Sequence, residues 1–449
     1  MTGYSRKAGF FKKSRRSRMG RYALIGEKLS HSLSPEIHSR IFEKIGMDGT
    51  YELVEIGKDR FCDDVKRLAD SGIDGFNVTI PYKNAIIPLL NELSPEAQAI
   101  GAVNTVKIEG GRMKGFNTDI YGFGKMAELC KLEIDSGTRA LVIGTGGAAK
   151  TAAYWLRQRT GRVWFLSRSG REAMKKLRTF QVIESKNESA IGKMDLIVNC
   201  SPCGMFPETD ESPIDAGIAK NASMAMDLVY NPMRSIFLQE MEKKGCRTAG
   251  GLSMLVAQAC KAQEIWNGVS LGQVEKGLIE SFFHENMNPV LVGMPGSGKS
   301  SAGRRLAGLL CREFIDVDEM IEKKFGPITE IFKSRGEKGF RKIERETIKS
   351  LRNRRNIVLA TGGGSILDPD NVADLKLNGT LIYLNRSLDS IRRSMEDGGR
   401  PLLKDQGDLR KLYEEREEIY RQSADLTVAD AGNEALQAIE IQNMLKKIF

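Results

Sequence analysis

The sequence predicts an α/β protein throughout, and three observations carry that expectation. Short apolar runs alternate with helical stretches along almost the whole chain, as strands covered by helices do. Two of those runs lead into glycine-rich turns of different kinds: Gly144-Thr145-Gly146-Gly147-Ala148-Ala149 after 140–143, and Gly293-Met294-Pro295-Gly296-Ser297-Gly298-Lys299-Ser300 after 289–292. No apolar run approaches the ~18 residues that a membrane-spanning helix needs.

From residue 21 the pattern gives strands at 22–25, 51–56 and 75–80, with helices starting near residue 34 and ending near residue 71. A second series opens at 140 and continues with strands at 163–166, 196–199 and 224–229, a spacing suited to the parallel strands of a nucleotide-binding sheet. Residues 252–266 and 271–283 read as two helices that return to the first domain. A polar junction at 284–288 precedes a third series, with strands at 290–292, 314–317, 357–360 and 381–384. The expected organisation is therefore a disordered basic arm at 1–19, a substrate-binding domain built from 20–120 and 252–283, a dinucleotide-binding domain at 121–251, and a phosphate-loop domain at 289–449.

The bulk composition narrows the function classes. With 449 residues, 41% hydrophobic and 28% charged, the chain has ordinary globular composition and room for several cores. The net charge of +10 suggests a nucleic-acid or membrane partner, but seven Lys/Arg and no acid fall within 1–18, and removing those seven leaves +3. A solvated arm is the preferred reading; transit-peptide composition, or a start at Met19 directly before the first strand, are the alternatives. The Arg/Lys-rich stretch 342–355 reads as a solvated helix face, since no aromatic platform accompanies it. Seven scattered cysteines argue for reduced thiols and a cytoplasmic setting, and three histidines cannot complete a zinc site around Cys200 and Cys203. Assembly into a homo-oligomer stays open.

The first glycine turn has the form GxGxxA, with Gly144, Gly146 and Ala149 permitting a tight turn, close approach to a pyrophosphate and helix packing, as in a Rossmann domain. Gly147 and Ala148 join the cofactor set. At the end of the next strand, where an NAD site places a carboxylate on the ribose, the chain has Ser167-Arg168-Ser169. A guanidinium flanked by hydroxyls suits the 2′-phosphate of NADP.

Several segments in order then show a resemblance. Ser32-Leu33-Ser34-Pro35, Asn77-Val78-Thr79-Ile80-Pro81-Tyr82-Lys83, Gly101-Ala102-Val103-Asn104-Thr105, Asn117-Thr118-Asp119, Asp227-Leu228-Val229-Tyr230-Asn231-Pro232 and Gly251 to Gln258 resemble the motifs of shikimate dehydrogenases. The resemblance implies that Ser32, Ser34, Asn77, Thr79, Asn104, Asp119, Tyr230 and Gln258 hold 3-dehydroshikimate, with Lys83 and Asp119 as the catalytic pair. An ammonium beside a ketone can stabilise and protonate the oxygen as hydride arrives. The chain departs from the family at Ser167, where Asn is usual, and in the loop 27–30; Cys200 reads as packing.

The second glycine turn is a full phosphate loop, in which backbone N–H groups of Gly296, Ser297 and Gly298, with Ser301 beyond, would cradle phosphates. Lys299 would reach the outer phosphate oxygens, and Ser300 would hold Mg2+ with Asp316. The segments Phe314 to Asp318, Gly336 to Glu344, Gly362-Gly363-Gly364, Arg400 to Leu403, and Arg416 ahead of Tyr420 resemble shikimate kinases. That resemblance implies that Asp318, Arg341, Gly362, Gly363, Gly364 and Arg416 bind shikimate, Asp318 as proton acceptor, and that Arg400 belongs to a lid over ATP. The sequence is thus expected to encode a bifunctional enzyme that reduces 3-dehydroshikimate with NADPH and phosphorylates the product with ATP and Mg2+. A first half acting as an NAD-linked quinate dehydrogenase, and a nucleotide sensor without turnover, are the weighed alternatives.

Overall fold

Three sheets organise the chain. The structure, a computed structural model, describes residues 19–448 apart from 30–31, 171–173, 175–176, 178–179, 186–190, 216, 218, 220, 397–405 and 431. The expected basic arm through residue 18 and the lid residue Arg400 lie outside the described residues. The described chain forms two compact units: one runs up to Thr118 and resumes over Ala259–Val274, the other comprises Asp119–Gln258 and everything from Glu275.

The first unit holds β1 (Gly20–Gly26), β2 (Gly49–Glu55), β3 (Gly75–Val78), β4 (Glu92–Leu93), β5 (Thr105–Glu109) and β6 (Arg112–Phe116), in the order β2-β1-β3-β5-β6-β4. The parallel pairs β1·β2 and β1·β3 follow from the helices between them, while β5 and β6 are an antiparallel hairpin. Its turn is Gly110-Gly111, both with positive φ, the geometry that two-residue hairpin turns favour. Ala23, Ile25, Val65, Phe76, Val78, Val103 and Val106 form the apolar core. A second cluster stacks Tyr22 on Trp266, ring centroids 4.6 Å apart, and Gly75 is required beneath it because a Cβ there would collide with the indole. Trp266 Nε1 donates to the Val106 carbonyl at 2.9 Å.

In the second unit β7 (Ala140–Ile143), β8 (Val163–Ser167), β9 (Gln181–Glu184), β10 (Leu196–Asn199), β11 (Met224–Asp227) and β12 (Arg247–Gly250) make an all-parallel sheet, β12-β11-β10-β7-β8-β9. Strands β7 and β10 are fully buried, as expected where helices cover both faces. A further parallel sheet, β14-β15-β13-β16-β17, is made of β13 (Asn288–Val292), β14 (Glu313–Asp316), β15 (Ile357–Ala360), β16 (Gly379–Asn385) and β17 (Leu426–Ala429). Both sheets reverse direction of winding at their first strand, so β7 and β13 each present a glycine turn at a topological switch point.

Three expected segments have different bounds in the structure. Within the polar junction at 284–288 the helix Gly272–Asn286 ends and β13 begins at Asn288, whose side chain bridges to Arg354 O and the Ile357 N–H at the start of β15. Of the two helices after 252, Ala259–Val274 groups with the first unit and the flanking parts with the second. Strand 75–80 stops at Val78, where Ile80-Pro81 removes a donor from the ladder.

Candidate active sites

In the first unit β3 ends in a bonded amide network. Asn77 Nδ2 donates to the Asn104 carbonyl at 3.1 Å and to Thr105 Oγ1 at 2.9 Å, while its Oδ1 accepts from the Tyr51 hydroxyl at 2.7 Å. Both donors of that amide are therefore used, and its oxygen keeps an acceptor position for a ligand hydroxyl. Asn104 Oδ1 accepts the Thr118 N–H at 2.7 Å, and its Nδ2 donates to Thr118 Oγ1 at 3.0 Å. Asn77 and Asn104 are 5% and 3% exposed, so their orientation is set by the protein. Ser34 opens the helix Ser34–Ile45, its N–H bonded to Ser32 Oγ at 3.2 Å.

Sequence reasoning missed two supports of this network, Tyr51 and His38. Burial raises the Tyr51 phenol well above its ordinary range, so it stays a donor to Asn77. His38 stacks on Tyr51 with ring centroids 3.9 Å apart and meets Gln263 Nε2 at 2.8 Å; burial pushes its imidazole down to about 3, so it is neutral. Thr79 and Lys83 follow β3 as half-buried residues, and Lys83's carbonyl accepts the Val103 N–H at 2.8 Å.

Asp119, Tyr230 and Gln258 belong to the second unit. Asp119 begins the helix Asp119–Leu129 and is 5% exposed; Tyr230 is half-buried after β11; Gln258 Nε2 donates to the Leu255 carbonyl at 2.8 Å. Gly122 lets two helices meet, since a Cβ there would lie 2.6 Å from the Met254 carbonyl and 3.2 Å from Gln258 Cβ.

The dinucleotide turn is built as its glycines require. Gly144 has φ 103°, and a Cβ would crowd the Cys200 and Ser201 backbone at 3.3–3.4 Å. Gly146 faces open space, as a residue that must admit a pyrophosphate should, and with Gly147 and Ala148 it leads the helix Gly147–Arg157. Ala149, Ala152 and Ala153 in that helix are fully buried, which the absence of bulk permits. Ser167 ends β8; its hydroxyl accepts the Ser169 N–H at 3.3 Å, and Arg168 between them is exposed. Beside the turn, a buried Asp227 accepts from Asn199 Nδ2 at 2.9 Å, from the Val229 N–H at 3.0 Å and from Ser235 Oγ, and burial raises its carboxyl to about 6. Asn199 in turn accepts from Ser201 N–H and Oγ at 3.0 and 2.7 Å. Burial raises the Cys200 thiol far above its ordinary value and Cys203 to about 11, leaving both protonated and poor as ligands or nucleophiles.

The phosphate loop follows β13, with Gly293, Gly296 and Gly298 all at positive φ. Lys299 opens the helix Lys299–Leu310, and its Nζ donates back to the Gly293 and Met294 carbonyls at 2.9 Å each. Ser297 is fully buried in the loop, and Ser301 is exposed on the helix's first turn. Ser300 Oγ donates to Asp316 Oδ2 at 2.6 Å, while Asp316 Oδ1 caps the helix Val317–Phe325 through the Asp318 N–H at 3.0 Å. A hydroxyl and an anchored carboxylate this close form a hard oxygen pair that fits Mg2+ with its waters.

The predicted acceptor pocket assembles beside it. A Cβ on Gly362 would lie 2.8 Å from Asp318 Oδ1 and 3.0 Å from Glu344 Oε1; one on Gly363 would meet Pro295 of the loop at 2.7 Å; one on Gly364 would collide with the Arg341 guanidinium. Arg341 Nη1 donates to Glu344 Oε2 at 2.8 Å, and Glu344, 1% exposed, accepts from Ser365 Oγ at 2.6 Å. Burial works against the charge on Arg341, but Glu344 and Glu337 hold its basicity above the ordinary value. Arg416 Nη1 donates to the Gly363 carbonyl at 3.3 Å, joined there by the Tyr420 hydroxyl. The sequence left the base-binding side unread. Here β17 brings Asp430 to Arg386, Nε to Oδ1 3.4 Å, and the Arg386 guanidinium lies beside Gly298.

Against known proteins, the model for the shikimate dehydrogenase substrate binding domain matches residues 24–106. A shikimate dehydrogenase (NADP(+)) of Clostridium perfringens is 40% identical over 271 residues, which are 59% of this chain and 97% of that protein. The chain belongs to the shikimate dehydrogenase family. The shikimate kinase model matches residues 295–447, so this shikimate dehydrogenase carries a shikimate kinase domain behind it. Among solved structures, a chorismate mutase/shikimate 5-dehydrogenase fusion protein from Clostridium acetobutylicum superposes with a TM-score of 0.57 at 38% identity, covering 59% of this chain and 98% of that one. The shikimate 5-dehydrogenase of Thermus thermophilus, solved with NADP(H) and shikimate, gives 0.53 at 32% identity over 59% of this chain and 98% of its own.

Proposed function

We propose that the dehydrogenase part reduces 3-dehydroshikimate to shikimate with NADPH, and that the kinase domain phosphorylates shikimate at its 3-hydroxyl with ATP and Mg2+. One observation carries this reading: a shikimate dehydrogenase and a shikimate kinase domain share one chain, so the product of the first is the substrate of the second. The domains assigned to these steps are 20–120 with 252–283 for substrate, 121–251 for NADP, and 289–449 for the kinase.

When bound, NADPH supplies the hydride and the ATP–Mg2+ pair supplies the phosphoryl group. Asn77 and Asn104, locked by Tyr51, Thr105 and Thr118, orient the ring hydroxyls, with Ser32, Ser34, Thr79, Tyr230 and Gln258 completing the grip. Lys83 and Asp119 are the catalytic pair of this reading, the proton for the developing alkoxide coming from that pair. Arg168, with Ser167 and Ser169, would hold the 2′-phosphate.

In the kinase, Arg341, braced by Glu344, and Arg416 hold the substrate carboxylate, and Asp318 accepts the proton of the attacking hydroxyl. Lys299 would exchange its carbonyl partners for phosphate oxygens, and Ser300 and Asp316 would hold the metal. The reading places both reactions in the cytoplasm, on small-molecule substrates. A coupled assay with 3-dehydroshikimate, NADPH, ATP and Mg2+ tests the whole reading: shikimate 3-phosphate is expected, and its absence while NADPH is consumed removes the kinase step.

A further inference from the structure

The loop after β11, residues 228–234, is tied down from two directions within the second unit. On its own side the Val229 carbonyl accepts the Gly251 N–H at 3.1 Å and the Asn231 carbonyl accepts the Phe206 N–H at 2.9 Å. From the kinase domain, Asn378 Oδ1 accepts the Met233 N–H at 3.1 Å and the Leu377 carbonyl accepts the Arg234 N–H at 3.0 Å. The Ala373 carbonyl takes Gln239 Nε2 at 3.0 Å. Arg234 pairs with Asp425 at 2.9 Å and with Glu242, Lys376 reaches Asp425 at 3.2 Å, and the Met233 side chain packs on the kinase core around Leu291 and Ile382.

Two consecutive backbone N–H groups matched to kinase acceptors, with an apolar side chain and a shared carboxylate beside them, constitute a built contact. The loop they hold carries Tyr230. We propose that the kinase domain is a positioning element of the dehydrogenase: its Leu377-Asn378 turn and Asp425 fix the Tyr230 loop, so that the dehydrogenase's grip on its substrate depends on the kinase fold. Asp425 also accepts the Leu381 N–H at 2.9 Å and thereby starts β17, so one carboxylate belongs to both halves.

The inference rests on the dehydrogenase reading above, which turnover of 3-dehydroshikimate by the unmodified chain tests separately. In the full chain, Asn378→Ala and Asp425→Asn should each raise the KM for 3-dehydroshikimate about 5- to 10-fold, the weight of a hydrogen bond or two, with kcat altered less than about twofold. Arg234→Ala should behave likewise, and Arg234→Lys, which keeps the pairing charge, should restore most of the affinity. Asp210→Asn breaks a different contact between the same two bodies, its 2.6 Å pair with Arg352, and should leave the KM unchanged. Unaltered KM in both Asn378→Ala and Asp425→Asn overturns the proposal. So does an equal shift in Asp210→Asn, which would reflect general loosening, or a parallel fall in phosphorylation of added shikimate, which would place the turn in the kinase's own fold.

Discussion

In the proposed reaction, Lys83 and Arg168 are single side chains on which separate chemistries turn. Lys83→Ala should abolish reduction, by about 10²-fold or more for a lost member of the acid–base pair, and spare phosphorylation of added shikimate; loss of both activities contradicts independent sites. Arg168→Ala should weaken NADPH far more than NADH, and equal losses refute a 2′-phosphate contact. Asp227 supplies a pH dependence. Its carboxyl is raised to about 6 by burial, from a usual 3.8. Its stability contribution is therefore fully present below pH ~3.8 and lost as pH rises through ~6, a total of about 3 kcal/mol. Denaturation midpoints of wild type and Asp227→Asn should thus diverge by about 1–2 kcal/mol between pH 5 and pH 8, the variant gaining; parallel curves would show a carboxyl ionised throughout. The glycine and phosphate-loop residues were legible in the sequence because spacing alone expresses their roles. Tyr51 and His38 were not, because each acts by bonding a residue distant in the chain.

Elements explain why those residues stay placed. The helix Asp119–Leu129 meets the start of the helix Leu252–Asn267 at Gly122, where a side chain would strike the Met254 carbonyl. Gly122→Leu should cost about 2 kcal/mol or more in overpacking and lower the melting temperature, with Asp119 and Gln258 displaced together; an unchanged melting curve would mean that the helices stand further apart. Parallel strands such as 196–199 and 357–360 were readable to the residue, because burial on both faces makes them unbroken apolar runs. The hairpin of β5 and β6 was not read despite Gly110-Gly111, since Lys107 and Lys114 interrupt the apolar pattern on a half-exposed edge. Strand β17 escaped for a similar reason: Leu426-Thr427-Val428-Ala429 buries only Val428 fully.

At the scale of the whole molecule, the cofactor sheet and the kinase sheet lie in one compact unit. A ligand bound to one should therefore protect the other. An ATP analogue at 100 times its Kd stabilises its site by about 2.7 kcal/mol, and amide exchange in β11 and the helix Ile236–Lys243 should slow with it; unaffected exchange there would show bodies that open independently. The sequence by itself determined the α/β architecture, the two nucleotide turns and the pair of linked reactions, since all three are written in local spacing and in runs of residue type. Only the tertiary structure decided that helix and strand fill the junction, that Tyr51, stacked on His38, fixes the Asn77 amide, and that kinase acceptors meet the Tyr230 loop. Those outcomes depend on which surfaces meet after folding, and contacts between residues a hundred or more positions apart leave no period in the chain.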